Sequence, residues 1–242
     1  MTEADVLEAA IGGRWAAVQR RIQRAADLAR RDPAEIKVVA VTKGFGVDAV
    51  RAAAAVGLDD FGENRVQEAE PKIAAVPNVG WHLVGHLQSN KARRAVSAFG
   101  VIHAVDSIDL LDRLETMAQE LDVARAVLFQ VNLTGAEGQH GFDLPPFEAG
   151  IATGELVAAI DAVERVRVVG LMGIGPLTSN VRASRAAFAR LRELRDRLQD
   201  AGAGPLPELS MGMSGDLEAA VAEGATLVRL GTALFGDRPA TD

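Results

Sequence analysis

Lys43 ends the run Val38-Val39-Ala40-Val41-Thr42-Lys43-Gly44. An ammonium at the end of a buried apolar strand is costly unless it is paired or loses its proton. A lysine that loses its proton there becomes a nucleophile able to form a Schiff base with a carbonyl. The alternative is a solvated loop lysine. Two small-residue turns near the C-terminus suggest what the carbonyl compound would carry. Leu209-Ser210-Met211-Gly212-Met213-Ser214-Gly215-Asp216 leads into a helix start, and Val228-Arg229-Leu230-Gly231-Thr232 closes another apolar run. Small residues let backbone N–H groups approach an anion closely, so Ser214, Gly231 and Thr232 are candidates for a phosphate site. Tight turns alone would explain the same glycines. Arg229 stands two residues before Gly231, either facing such a ligand as a fixed cation or pairing outward with a carboxylate.

Other polar residues have simpler readings. Asn64, in Phe61-Gly62-Glu63-Asn64-Arg65, either caps the following helix or touches a ligand, and capping is the conservative assignment. His82 and His86 are four apart across a strand and a turn, with no carboxylate to complete a ligand set, so no metal is expected. His103 and His140 have no partner visible in the sequence. Met172, Met211 and Met213 read as packing. Arg182, Arg185, Arg190, Arg192, Arg195 and Arg197 share one helix with Glu193 and Asp196, which reads as a solvated face before a basic docking patch.

The elements that must position these residues alternate. Strand candidates are 37–42, 58–61, 81–84, 101–104, 125–131, 166–171, 208–211 and 226–230. Helical patterns follow them, among them 48–56, 66–76, 88–99, 107–121 and 183–201. Before the first strand, Trp15, Val18, Ile22, Ala25 and Ala29 recur at helical spacing, predicting a helix over about 12–31 that ends at Asp32-Pro33. Near-continuous apolar strands between helices mean a parallel sheet covered on both faces. Eight units favour a closed (β/α)8 barrel over about 37–236, with an open doubly wound sheet as the competing topology. No G-x-G-x-x-G follows the first strand, which weakens the dinucleotide-binding version. In a barrel, the strand ends named above share the functional mouth.

Composition narrows the classes further. The 242 residues fit one barrel domain, and 48% apolar with 24% charged residues is ordinary for a globular chain. There is no cysteine, which removes disulfides, thiolate nucleophiles and Cys-based metal sites and fits a reducing compartment. The first residues lack the basic and apolar regions of a secretory signal, and no apolar stretch is long enough to span a bilayer. A net charge of −7 with 4% aromatic residues argues against nucleic acid as a partner.

Taken together, Ala40-Val41-Thr42-Lys43, Phe61-Gly62-Glu63-Asn64, the Gly85-x-Leu87-Gln88-Ser89-Asn90-Lys91 stretch, Gly170-Leu171-Met172, Ser210-Met211-Gly212-Met213-Ser214 and Val228-Arg229-Leu230-Gly231 resemble the pyridoxal phosphate homeostasis family. This family is related to the barrel domain of alanine racemase. The resemblance runs from about Val6 to Arg238. It implies an alanine racemase N-terminal domain-like barrel that holds pyridoxal 5′-phosphate (PLP). Lys43 matches the Schiff-base lysine, Ser214, Gly231 and Thr232 the phosphate positions, Arg229 the arginine facing the pyridine nitrogen, and Asn64 a polar residue near the ring. It also implies a cytoplasmic, monomeric protein that regulates PLP supply and hands it to apo-enzymes. His140 departs from the pattern, standing where many members carry Lys, and Thr42 and Gly44 to Gly46 lie in a variable part of the lysine motif.

Two features favour carriage of PLP over fast catalysis. An arginine cannot accept the pyridine proton, because it is itself already protonated, so a ring facing Arg229 is a weaker electron sink. Racemases of the related class place a tyrosine opposite the lysine, and this chain has no tyrosine. A slow racemase-like PLP enzyme, with His86 or His140 as the second base, is the alternative. A Schiff-base or sugar-phosphate barrel enzyme without PLP is the third reading.

Overall fold

In the computed structural model, which describes residues 2–136 and 138–237, eight parallel strands close into a barrel. Arg238, where the family resemblance ends, lies outside the described residues. The strands are β1 (Lys37–Val41), β2 (Asp60–Glu63), β3 (Gly80–Leu83), β4 (Val101–Val105), β5 (Arg125–Asn132), β6 (Val166–Gly173), β7 (Glu208–Ser210) and β8 (Leu227–Leu230). Each pairs in parallel with its sequence neighbours, and β1–β8 pairing closes the ring, Val39 opposite Arg229. A two-residue strand, Phe142–Asp143, adds to the end of β5. The closed barrel, not the open sheet, is therefore the fold.

Alternation along β1 shows how the core divides. Val39 and Val41 point inward and pack with Val84, Leu128, Val169, Met172 and Leu227 inside the barrel. Val38 and Ala40 point outward into the larger core beneath the helices. Both faces are buried, so both need apolar residues, which explains the unbroken runs in the sequence.

The helices are α1 (Glu3–Ala29), α2 (Val47–Ala55), α3 (Val66–Ala75), α4 (Ala92–Ala98), α5 (Ile108–Glu120), α6 (Leu144–Thr153), α7 (Glu155–Asp161), α8 (Val181–Leu198), α9 (Leu217–Ala222) and α10 (Thr232–Phe235). Helix α1 begins nine residues before the expected position. Thr2 and Asp5 form a capping box, each side chain accepting from the other's backbone N–H. Residues 3–10 bury no side chain fully, so they carry no apolar stripe to reveal a helix. Arg30 ends it in the left-handed conformation, φ 56°. Strand β2 also runs two residues past its expected end. Gly62 and Glu63 look unlike strand residues, but Glu63 is buried because Lys72 of α3 neutralises it.

Arginine pairing decides the reading of α8. Arg185 and Arg192 both bind Glu223, Arg190 and Arg197 both bind Glu148, and Arg195 binds Asp196. Those charges are consumed within the chain, which leaves little for a basic docking patch.

Candidate cofactor-binding site

The carboxy-terminal mouth of the barrel holds a cavity of about 350 Å³, within the usual range of roughly 300–1,000 Å³ for small-molecule sites. Lys43, Asn64, Ser214, Arg229, Gly231 and Thr232 all line it. Six positions picked from four separated segments thus share one space. Val41, Val84, Met172 and Ile174 form apolar wall, joined by Phe45. Met172 thus both packs and lines.

Lys43 stands immediately after β1, and a buried polar knot fixes the residue before it. The Thr42 hydroxyl donates to Glu63 Oε1 at 2.5 Å, and Lys72 Nζ donates to the same oxygen at 2.5 Å and to the Thr42 carbonyl at 2.9 Å. Glu63 Oε2 has no hydrogen-bond partner among the described residues. Sequence reading missed this knot, since nothing in the spacing of Thr42, Glu63 and Lys72 announces a three-way contact.

Asn64 does not cap α3. The cap position is Arg65, with no side-chain cap bond, and Asn64 instead lines the cavity. Gly85 explains its placement: a Cβ there would stand 2.5 Å from the Asn64 carbonyl oxygen, so only glycine lets the strand β3 turn pass that backbone.

The two C-terminal turns meet through side chains. Ser214 Oγ accepts from the Ala233 N–H at 3.1 Å, which ties the turn after β7 to that after β8 and leaves the hydroxyl hydrogen to donate elsewhere. Asp216 Oδ1 accepts from the Met213 N–H at 2.5 Å. Gly212 has φ 91°, and a Cβ would fall 2.4 Å from the Ala220 Cβ, so this turn requires glycine twice over. Arg21 of α1 grips the same turn from outside, with Nη2 donating to the Ser214 carbonyl at 3.0 Å and the guanidinium paired to Glu218.

Arg229 points inward, contrary to the outward salt bridge weighed from sequence. Its Nη1 donates to Ser210 O and Oγ, both at 2.7 Å, and Nη2 donates to the Gly173 carbonyl at 2.9 Å. Burial pushes its pKa down to about 10, opposed by the charge of Asp216, so it remains a cation at neutral pH.

The histidines gained partners that the sequence did not show. His82 Nε2 meets Asp60 Oδ1 at 3.1 Å, and His86 Nδ1 meets Asp106 Oδ2 at 3.1 Å. The expectation that no carboxylate stands by either histidine is therefore corrected. His140 stacks on His86 with centroids 3.6 Å apart and planes 7° apart, and one ligand atom each of His86, Asp106 and His140 lie within 4.8 Å of one another. Parallel rings carry their lone pairs side by side, so the two imidazoles do not converge on one ion in this arrangement. Asn132, at the end of β5, does not line the cavity. Its Oδ1 accepts from the Gly135 N–H at 3.0 Å and organises its own loop.

Together these features define a barrel of the alanine racemase N-terminal class, with a strand-end lysine, a buried arginine and paired small-residue turns at one mouth. The family model described as alanine racemase, N-terminal domain, matches residues 14–239. The chain is 44% identical over 228 residues to the pyridoxal phosphate homeostasis protein of Pseudomonas aeruginosa, covering 92% of this chain and 94% of that protein. It is 39% identical over 209 residues to the protein of the same name from Synechocystis sp., covering 85% and 93%. Among solved structures, PipY of Synechococcus elongatus PCC7942 without PLP is 42% identical with a TM-score of 0.77, covering 89% of this chain and 99% of PipY. PipY with PLP bound is 40% identical with a TM-score of 0.76, covering 89% and 100%. The chain belongs to the family of pyridoxal phosphate homeostasis proteins.

Proposed function

We propose that this chain binds pyridoxal 5′-phosphate at the carboxy-terminal mouth, attached through the Lys43 amine, and serves intracellular PLP homeostasis as a carrier. The observation that carries this reading is the convergence of Lys43, Asn64, Ser214, Arg229, Gly231 and Thr232 on one cavity. The donor set fits the molecule at three points: an amine for an aldehyde, a hydroxyl and backbone turn for a phosphate, and a cation for a ring nitrogen. When bound, PLP supplies an aldehyde conjugated to a pyridine ring that can accept electrons.

The residues divide the work of holding it. Lys43 presents the amine for covalent attachment. Ser214, oriented by the Ala233 N–H, and the backbone of Gly231 and Thr232 bind the phosphate. Arg229 donates toward the ring nitrogen and cannot accept a proton from it, because it is already a cation at neutral pH. Asn64 and the Met172–Val84 wall confine the ring. With Arg229 and no carboxylate among the described residues lining the cavity, and no tyrosine in the chain, the site favours retention of PLP over rapid carbanion chemistry. The relatives' name, and PLP bound in PipY, support the same reading. A cytoplasmic, monomeric protein that passes PLP to apo-enzymes completes the proposal. No helix among the described residues is long and apolar enough to cross a membrane.

Titration with PLP tests this. The wild type should take up one equivalent and turn yellow, and Lys43→Ala should lose the long-wavelength band. Transfer to an apo-enzyme should persist when free PLP is trapped in solution. Turnover of an amino acid at rates typical of enzymes, roughly 1–1,000 per second, would defeat carriage.

A further inference from the structure

Behind Arg229, a continuous row of buried polar groups crosses the inside of the barrel. Ser210 Oγ of β7 accepts from Arg229 Nη1 at 2.7 Å. His103 Nδ1 of β4 lies 2.8 Å from Ser210 Oγ. His82 Nδ1 of β3 lies 2.8 Å from His103 Nε2. Asp60 Oδ1, at the start of β2, lies 3.1 Å from His82 Nε2. Ser210 and His103 are fully buried, and His82 is 5% exposed. The row ends in a second cavity of about 390 Å³ at the opposite mouth, lined by Asp60, His82, Lys37, Arg167 and Glu208.

With one N–H on each imidazole, its two ends set its direction. A guanidinium can only donate, and an ionised carboxylate can only accept. The hydrogen bond from His82 holds the Asp60 carboxyl below its ordinary range, so it is ionised at neutral pH. Burial, helped by the charge of Arg229, pushes His103 well below the ordinary histidine value, so it carries a single N–H. Ser210 Oγ accepts from Arg229 and turns its hydrogen to His103 Nδ1. His103 then donates from Nε2 to His82 Nδ1, and His82 donates from Nε2 to Asp60. Every dipole in the row has its negative end toward Arg229 and its positive end toward Asp60. That order stabilises both charges, and aligned bonds polarise one another in a low-dielectric interior.

We propose that Ser210, His103, His82 and Asp60 form a one-way hydrogen-bond relay that positions Arg229, so that the charge state of Asp60 at one mouth is felt at the cofactor cavity at the other. The histidine assignments stand independently of any ligand; the effect on PLP rests on the function proposed above. The groups facing the relay's ends are Lys37 of β1, Arg167 of β6 and Glu208 of β7 beside Asp60, and Asp216 beside Arg229. Asp60, His82, His103 and Ser210 are thus positioning residues, acting through Arg229.

Nitrogen-15 NMR of the cofactor-free wild type reads the tautomers directly. His82 and His103 should both be neutral and protonated on Nε2 at neutral pH. An Nδ1-protonated or charged His103 overturns the relay. Asp60→Asn keeps an acceptor oxygen and should preserve both tautomers. Asp60→Leu removes it and should scramble His82 while weakening PLP binding about fivefold, as expected for one lost hydrogen bond of about 1 kcal/mol. It should also shift the pH profile of the bound PLP absorbance, a shift that Asp60→Asn should share because it removes the same charge. An Asp60→Leu protein with wild-type tautomers, PLP affinity and spectrum would also overturn it. Wild type that takes up no PLP would sink the function proposed above while the tautomer measurement still decides the relay.

Discussion

His103 shows how a single buried group sets a pH limit for the molecule. Its folded pKa lies well below the ordinary value because burial opposes the charged form, with Arg229 adding repulsion. As pH falls, the unfolded chain therefore takes up this proton first. Stability from this source is complete above about pH 6.5 and is lost as pH drops below it, by at most about 1.4 kcal/mol per unit. Denaturant melts between pH 7.5 and 5 should show this acid slope, and His103→Gln should flatten it by about one proton. An unchanged slope in the variant would assign the acid sensitivity elsewhere. His82, His103 and Ser210 were visible in the sequence, but Asp60 was not, nor were their contacts: His82, His103 and Ser210 sit on three strands, and only closure of the barrel makes them neighbours. The same is true of Lys72, whose burial against Glu63 depends on α3 folding back over β2.

At the scale of elements, the eight strands were legible because parallel strands buried on both faces are written as continuous apolar runs, as Val38 to Val41 illustrates. Ends were less legible. The polar start of α1 has no stripe to read, and the β2 end is held by a buried ion pair. Lys43, Ser214, Arg229, Gly231 and Thr232 stood out in the sequence because each closes an apolar run or sits in a small-residue turn, whereas Asn64 read there as a helix cap. The Asn64 capping assignment failed because the local motif was right and the register was one residue off, Arg65 being the cap. Helix α1 does more than cover the barrel. Arg21 joins it to the Ser214 turn and to Glu218, with the guanidinium contacting both carboxylate oxygens, at 2.7 and 2.9 Å. Arg21→Ala should lower stability by about 1 kcal/mol in low salt, less in high salt. If the turn binds phosphate, the variant should also bind PLP about threefold to fivefold more weakly, an effect of the same size. Binding unchanged within error, with stability reduced, would show that α1 supports the barrel but not the site.

For the molecule as a whole, the proposed function places PLP capture on one amine at one mouth of the barrel. The chain offers four lysines, and the structure separates them well. Lys37 lies at the opposite mouth, Lys72 is buried against Glu63, Lys91 borders a neighbouring surface groove, and Lys43 alone of the four lines the candidate cavity. Borohydride reduction of PLP-loaded protein, followed by digestion and mass spectrometry, identifies the modified side chain. A single pyridoxyl group should appear on Lys43. A group on Lys37, Lys72 or Lys91 instead, or no modification after saturation with PLP, would contradict it.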